Sequence, residues 1–306
     1  MNARTQDVSP RSWSATVLRS VTRASLRPVF DPRLPLMLQR AAIAGGSRLF
    51  PRPAGVQDVE HFLDGVLGRR LIPERAPLGR AVLYLHGGGY VLGSPQTHAG
   101  LVGRLAQAAE SEVFVIDYRL APEHPAPAAL DDALAAWKAL TQTHAAVAIA
   151  GDSAGGGLAL ALALAVRDAQ LVAPRALGLI SPWVDLTLDG ESMRAGAVRD
   201  PLLSREWLAW AAGQYAADCG PDDPRVSPLF ATHEGLPPVL IHAGADEVLR
   251  SDTERLDVAL RRARVPVETC IHADLWHDFQ LYAGLLPEAD DSIEAIGRFL
   301  RQALDR

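Results

Sequence analysis

The sequence predicts an α/β fold in which a mostly parallel β-sheet is covered on both faces by helices. From about residue 80, short apolar runs typical of strands alternate with longer segments rich in Ala and Leu. This alternation indicates β-α-β units, whose strands are parallel and buried. With 306 residues, 48% of them hydrophobic and 22% charged, the chain has enough apolar material for one large core. We therefore expect one domain over residues 1–306.

Each element of this fold is predicted in chain order. Strands are expected at 81–85, 113–118, 146–150, 176–181, 239–243 and 267–272, and helices near 97–110, 128–142, 154–169, 251–264 and 289–304. Residues 1–60 and 187–230 fall outside this pattern. We expect these two segments to fold over the sheet as a helical cap.

Composition excludes several classes of function. A net charge of −6 argues against a nucleic-acid partner, because phosphate binding needs a basic surface. Two cysteines cannot form a disulfide framework, and the longest apolar run, residues 158–166, is much shorter than the roughly 20 residues that cross a bilayer. The Arg- and Ser-rich first fifty residues also fit a transit peptide, but we prefer a cap segment. We expect a cytoplasmic protein without a membrane span, whose partner is a small molecule, with a homodimer left open.

A first motif, Gly151-Asp152-Ser153-Ala154-Gly155, follows a predicted strand and precedes a predicted helix. In this context G-x-S-x-G indicates a nucleophilic serine on a strained turn, with glycine required on both sides. The N–H of Ala154 then lies at a helix N-terminus, where it can stabilise an oxyanion. A structural Gly/Ser turn is the alternative.

A second motif, His86-Gly87-Gly88-Gly89-Tyr90, lies in a strand-to-helix loop at the carboxyl edge of the sheet. Adjacent glycines allow backbone N–H groups to approach a substrate oxygen closely. A phosphate-binding loop is disfavoured because neither Gly-Lys-Ser/Thr nor G-x-G-x-x-G follows. His86 is expected to brace this loop.

A serine nucleophile needs a histidine base and a carboxylate, which follow it in the order Ser, Asp or Glu, His on such a sheet. We predict His277 as the base, with His272 as the alternative. Asp246, at the end of a strand, is the predicted acid, and Asp185 is its alternative. Glu247 is expected to point elsewhere.

The chain resembles the hormone-sensitive-lipase family of bacterial esterases, which have the α/β-hydrolase fold. The resemblance covers about residues 80–300 and is carried by both glycine motifs and by the stretches 117–125, 200–203, 244–247 and 277–279. It implies that the N–H groups of Gly88, Gly89 and Ala154 form the oxyanion hole. Asp278 stands where members commonly have Gly, and Ala126 where an aromatic is common. We expect neither to touch the reacting groups.

We therefore predict a serine carboxylesterase for short- to medium-chain esters that works through an acyl-enzyme and needs no metal or organic cofactor. Candidate substrate-binding residues are Tyr90, Asp152, Trp183, Leu203 and Trp207. A weaker likeness to bacterial ε-lactone hydrolases for monoterpene lactones makes a lactone the alternative substrate. An amidase or a non-catalytic ligand receptor on the same fold is less favoured.

Overall fold

A computed structural model of the chain describes residues 12–194 and 199–306. Within these ranges the strands are β1 (Val56–Leu63), β2 (Val66–Pro73), β3 (Arg80–Leu85), β4 (Glu112–Ile116), β5 (Ala146–Asp152), β6 (Leu177–Ile180), β7 (Val239–Gly244) and β8 (Val267–His272). They form one eight-stranded sheet with the order β1-β2-β4-β3-β5-β6-β7-β8. The pairs β1–β2 and β2–β4 are antiparallel, and all other neighbours are parallel.

Helices cover both faces of this sheet. Their bounds are α1 (Trp13–Ser25), α2 (Leu36–Gly46), α3 (Ala99–Ala109), α4 (Ala128–Thr143), α5 (Ser153–Asp168), α6 (Arg205–Tyr215), α7 (Arg250–Arg262) and α8 (Pro287–Leu304). Side chains of α3 and α8 pack in one hydrophobic cluster, and those of α4, α5 and α7 pack in the other. The central strands are buried on both faces, which explains why their sequences are continuously apolar.

The predicted mostly parallel sheet flanked by helices is confirmed, and each predicted strand and helix matches an observed element to within about three residues. The hairpin β1–β2 escaped prediction. Its strands are only partly buried and carry charged pairs such as Arg69 with Asp58. Because β1 begins at Val56, the sheet also starts inside the segment predicted as cap.

Helices α1 and α2, together with α6, lie above the carboxyl edge of the parallel strands. Two contacts tie these segments together: Nε1 of Trp207 donates to Oε1 of Gln39 at 2.9 Å, and Phe30 packs edge-on against Trp207. Because β5, β6, β7 and β8 run in one direction, the loops that follow them meet at that same edge. Ligands bind at this edge in open parallel sheets.

Candidate active site

Ser153 lies on a tight turn between β5 and α5. Its φ is +52°, a left-handed conformation that costs a residue with a side chain free energy and persists only where the surroundings support it. A Cβ on Gly151 would lie 2.4 Å from the carbonyl oxygen of Gly155, and one on Gly155 would lie 2.1 Å from that of Leu85. The two flanking glycines are therefore a steric requirement of this turn.

His277 is the side chain that contacts this serine. It lies in the loop between β8 and α8, buried, with its Nε2 2.9 Å from Oγ of Ser153. At this distance a neutral imidazole can accept the hydroxyl proton. His272 instead contacts His242 in the core, and burial lowers the pKa of His272 to about 4. The structure therefore brings Ser153 and His277 together and leaves His272 in the core.

Asp246, the predicted acid, has a different partner. Its carboxylate pairs with Arg19 of α1, and its side chain remains 31% exposed. Asp185, the alternative acid, pairs with Arg255 and accepts a hydrogen bond from Thr187. Neither carboxylate is placed to orient the imidazole of His277, so the structure corrects the prediction of Asp246.

Glu247 occupies the place expected for the acid. It is fully buried, and its Oε1 lies 4.0 Å from Nδ1 of His277. Its Oε2 accepts hydrogen bonds from Oγ of Ser181 at 2.7 Å and from the N–H of Gly244 at 2.8 Å. Within the described ranges, neither Oε1 of Glu247 nor Nδ1 of His277 has a hydrogen-bond partner, so no hydrogen bond of either atom competes with the contact between them. The expectation that Glu247 points elsewhere is therefore wrong.

The tertiary structure, and not the local sequence, distinguishes Asp246 from Glu247. Asp246 and Glu247 are consecutive in the turn after β7, and their side chains contact different parts of the protein. Which of the two carboxylates lies next to His277 depends on the hydrogen-bond and ion-pair partners that surround each of them. Arg19 lies on one side, and Ser181 with the Gly244 N–H lies on the other. Arg19 and Ser181 are each more than 60 residues away in sequence.

Asp278 is a site residue that the sequence interpretation missed. Its Oδ2 lies 3.0 Å from Nε2 of His277, although the residue was expected not to touch the reacting groups. It adopts a left-handed conformation with φ +52°, which directs its buried side chain into the site. A carboxyl group therefore lies at each nitrogen of the imidazole.

These two carboxyl groups determine the protonation behaviour of His277. Burial lowers the pKa of His277, but the attraction of Asp278 and Glu247 outweighs burial and raises that pKa well above its usual value of 6.5. An imidazole with a raised pKa is a stronger base once it is deprotonated, but it reaches the neutral form only at higher pH.

The glycine loop lies beside the serine. Gly88 and Gly89 have φ of +125° and +62°, and a Cβ on Gly88 would lie 2.3 Å from the carbonyl oxygen of Leu92. In the described part of the chain, neither of their N–H groups donates a hydrogen bond to the protein. Gly87, Gly88 and Gly89 line the same cavity as Ser153. The loop therefore presents free backbone donors next to the hydroxyl group.

His86 supports this loop from behind. Its ring stacks on Tyr118 at 4.3 Å between centroids, and the hydroxyl of Tyr118 donates to the carbonyl oxygen of His86 at 2.6 Å. Burial lowers the pKa of His86 to about 3, so the imidazole is neutral. His86 does not line the cavity and acts as a brace for the loop.

The cavity above Ser153 has a mainly apolar wall and an empty volume of about 930 Å³, open solvent included. Both segments predicted as cap contribute apolar side chains to it: Leu26, Phe30, Ile43, Phe50, Leu202, Leu203 and Trp207. An apolar pocket with a few convergent polar groups is typical of small-molecule sites.

The predicted substrate-binding residues divide into two groups. Asp152, Leu203 and Trp207 line the cavity. Tyr90 and Trp183 lie in the core instead, where Tyr90 stacks on Tyr215 and Nε1 of Trp183 donates to the carbonyl oxygen of Asp185.

The carboxylate of Asp152 contacts two other side chains. It accepts a hydrogen bond from the hydroxyl of Tyr84 at 2.7 Å and lies 3.2 Å from Nε2 of His98, so it already has partners within the protein.

The described residues contain neither a metal-binding cluster nor a helix that could span a membrane. In residues 12–194 and 199–306 there is no group of three or more His, Cys, Asp or Glu side chains arranged to hold a metal ion. No helix in these ranges is long and apolar enough to cross a membrane.

Comparisons with known proteins agree with this geometry. A protein-family model for the alpha/beta hydrolase fold matches residues 82–281. The chain is 36% identical to an esterase of Acinetobacter venetianus over 94% of this chain and 96% of that protein. It is also 36% identical to an ethyl acetate hydrolase of Pseudomonas putida, over 80% of each. A crystal structure of an esterase from the bacterial hormone-sensitive lipase family superimposes with a TM-score of 0.91, at 33% identity over 97% of this chain and 100% of that one.

The fold and the paired serine and histidine define a serine hydrolase. The chain belongs to the bacterial hormone-sensitive-lipase family of α/β hydrolases. It is a carboxylic ester hydrolase, which confirms the predicted class of enzyme and reaction. The predicted alternative of a lactone hydrolase finds no support in these comparisons.

Proposed function

We propose that this carboxylesterase uses Ser153, His277 and Glu247 as its catalytic triad and acts on small esters with short acyl chains. The hydroxyl of Ser153 meets Nε2 of His277 at 2.9 Å on the wall of an apolar cavity, and the carboxylate of Glu247 faces the other nitrogen of the same ring.

In the proposed reaction, Oγ of Ser153 attacks the ester carbonyl while Nε2 of His277 accepts its proton. Glu247 holds the imidazole with Nδ1 protonated and stabilises the imidazolium that forms. The imidazolium then gives its proton to the leaving alkoxide, and the alcohol departs. Water repeats these steps on the acyl-enzyme and releases the acid.

The developing oxyanion would be held by the N–H groups of Gly88, Gly89 and Ala154. Support comes from the free donors of the glycine loop and from the position of Ala154 in the first turn of α5, where helix N–H groups are unpaired. Loss of one such donor typically lowers kcat by about 10²- to 10³-fold.

The preference for small esters rests on the apolar wall of the cavity and on a relative. The side chains of Phe30, Phe50 and Trp207 line the cavity together with the glycine loop, so a short acyl chain would be buried against them with a gain of about 0.8 kcal/mol per methylene. A relative that bears the name ethyl acetate hydrolase agrees with a small ester as substrate.

The proposal is tested with Ser153→Ala and an exposed control, Ser20→Ala, on p-nitrophenyl esters from acetyl to palmitoyl. We expect Ser153→Ala to abolish hydrolysis and labelling by a fluorophosphonate probe with folding intact, and Ser20→Ala to retain both. Acetyl and butyryl esters should turn over faster than the long chains. Labelling of the Ser153→Ala protein, or a maximum at palmitoyl, would contradict the proposal.

A further inference from the structure

Asp278 places a second carboxyl group beside the candidate base. Its Oδ2 lies 3.0 Å from Nε2 of His277, the nitrogen that also contacts Oγ of Ser153 at 2.9 Å. The acid of the proposed triad lies at the opposite nitrogen, Nδ1, at 4.0 Å. A catalytic triad needs one carboxylate, at the histidine nitrogen that faces away from the serine. This site has a second carboxyl group, at the nitrogen that faces the serine.

The surroundings leave Asp278 dependent on this histidine. The side chain is buried against the apolar cavity wall, and its Oδ1 has no hydrogen-bond partner among the described residues. A buried carboxylate without other partners is stabilised mainly by a nearby positive charge, and protonated His277 is such a charge at 3.0 Å. The contact therefore favours the imidazolium over the neutral imidazole before substrate arrives.

We propose that Asp278 is a positioning residue that sets the pH range of this esterase by stabilising the imidazolium form of His277. The proposal rests on the proposed function, in which His277 is the base. Stabilising the imidazolium delays deprotonation of His277 to higher pH. Asp278 also stabilises the positive charge that develops on His277 in the transition state. The neutral imidazole is therefore a stronger base, once the pH is high enough to deprotonate it.

Other titratable groups face this pair from neighbouring elements and remain in place when Asp278 is changed. They are Glu247 after β7, Asp152 at the end of β5, His98 before α3, Tyr84 on β3 and Asp200 in the second cap segment. The guanidinium of Arg19 lies over the ring of Trp276, the residue before His277, and pairs with Asp246. Burial raises the pKa of Asp278 to about 7, which places its titration in the range of an ordinary histidine, so the two groups titrate as a coupled pair.

The test compares Asp278→Asn and Asp278→Gly with a control, Asp274→Asn. Both Asn and Gly tolerate the left-handed backbone at residue 278. Asp274 is exposed in the same loop and is also left-handed, with φ +58°. The measurements are kcat/KM for p-nitrophenyl butyrate between pH 5 and 10 and the pKa of His277 by histidine NMR, which needs no activity.

We expect both Asp278 variants to lower the pKa of His277 and to shift the acidic limb of kcat/KM downward by about one to three pH units, the usual effect of a charge at this distance. Their kcat/KM should exceed that of the wild type at the acidic end and fall below it on the alkaline plateau. Asp274→Asn should leave the limb unchanged. Coincident limbs in the Asp278 variants and the wild type, or loss of all activity in folded Asp278 variants, would overturn the proposal. The first outcome would leave the esterase assignment intact, whereas inactivity of the wild type would overturn that assignment instead.

Discussion

Glu247→Gln and Asp246→Asn form a matched pair of substitutions that separates two adjacent candidate acids. Each replaces a carboxylate by an amide of nearly the same shape. In Glu247→Gln the amide oxygen can still accept from Ser181 and Gly244, so the buried hydrogen bonds at 2.7 and 2.8 Å are retained. The amide NH₂ then faces Nδ1 of His277 and favours the wrong tautomer of the imidazole.

The expected magnitude follows from what each carboxylate touches. A buried acid that orients a catalytic histidine typically contributes about 10⁴-fold to kcat, which corresponds to roughly 5.5 kcal/mol of transition-state stabilisation. Glu247→Gln should lose most of that activity. Asp246→Asn removes only a partly exposed ion pair with Arg19, so about 1 kcal/mol or less of stability and less than tenfold in rate should be lost.

The assay is kcat and KM for p-nitrophenyl butyrate at the alkaline plateau, with thermal unfolding of each variant to show that the fold survives. A loss confined to kcat is expected for Glu247→Gln, because substrate binding does not use this buried carboxylate. The reasoning is refuted when Asp246→Asn loses several orders of magnitude in kcat and Glu247→Gln stays near the wild-type value.

Two further predictions concern the turn and the pH response. Gly155→Ala should destabilise the fold by about 3 kcal/mol or prevent folding, because the added Cβ would lie 2.1 Å from the Leu85 carbonyl oxygen. This clash is with backbone, so no side-chain movement can relieve it. The control is Gly213→Ala in α6, where nothing lies within 4 Å of the added Cβ; it should be neutral or stabilising in the same thermal-unfolding measurement. In the wild type, kcat/KM should fall as the pH drops, with a midpoint above pH 6.5. The reason is that the pKa of His277 is raised, so the imidazole is still protonated at pH 6.5 and cannot act as a base. A pH profile flat down to pH 5 would show that His277 is not the base.

Much of the fold could be predicted from sequence because local pattern and burial coincide in it. The central strands are buried on both faces and therefore apolar throughout, which makes β3, β5 and β7 visible in the sequence. The hairpin of β1 and β2 is half-exposed and charged, so its sequence lacks a clear strand signal. Its strand identity depends on pairing with β4 and on contacts made far along the chain.

The sequence by itself determined the turn that carries Ser153 and the glycine loop of this protein, since each is marked by glycines within a motif of five residues. A Cβ on Gly151 or Gly88 would meet backbone only four residues away, and one on Gly155 would meet the Leu85 carbonyl oxygen on the neighbouring strand. Gly151 and Gly155 must lack side chains for the Ser153 turn to form, and this requirement is visible in the sequence as the motif G-x-S-x-G. Only the tertiary structure decided which carboxylates surround His277. Arg19 holds Asp246, Ser181 and Gly244 hold Glu247, and a left-handed backbone directs Asp278 to Nε2. The direction of a side chain in a turn depends on distant partners, and one residue of difference decides which acid enters the site.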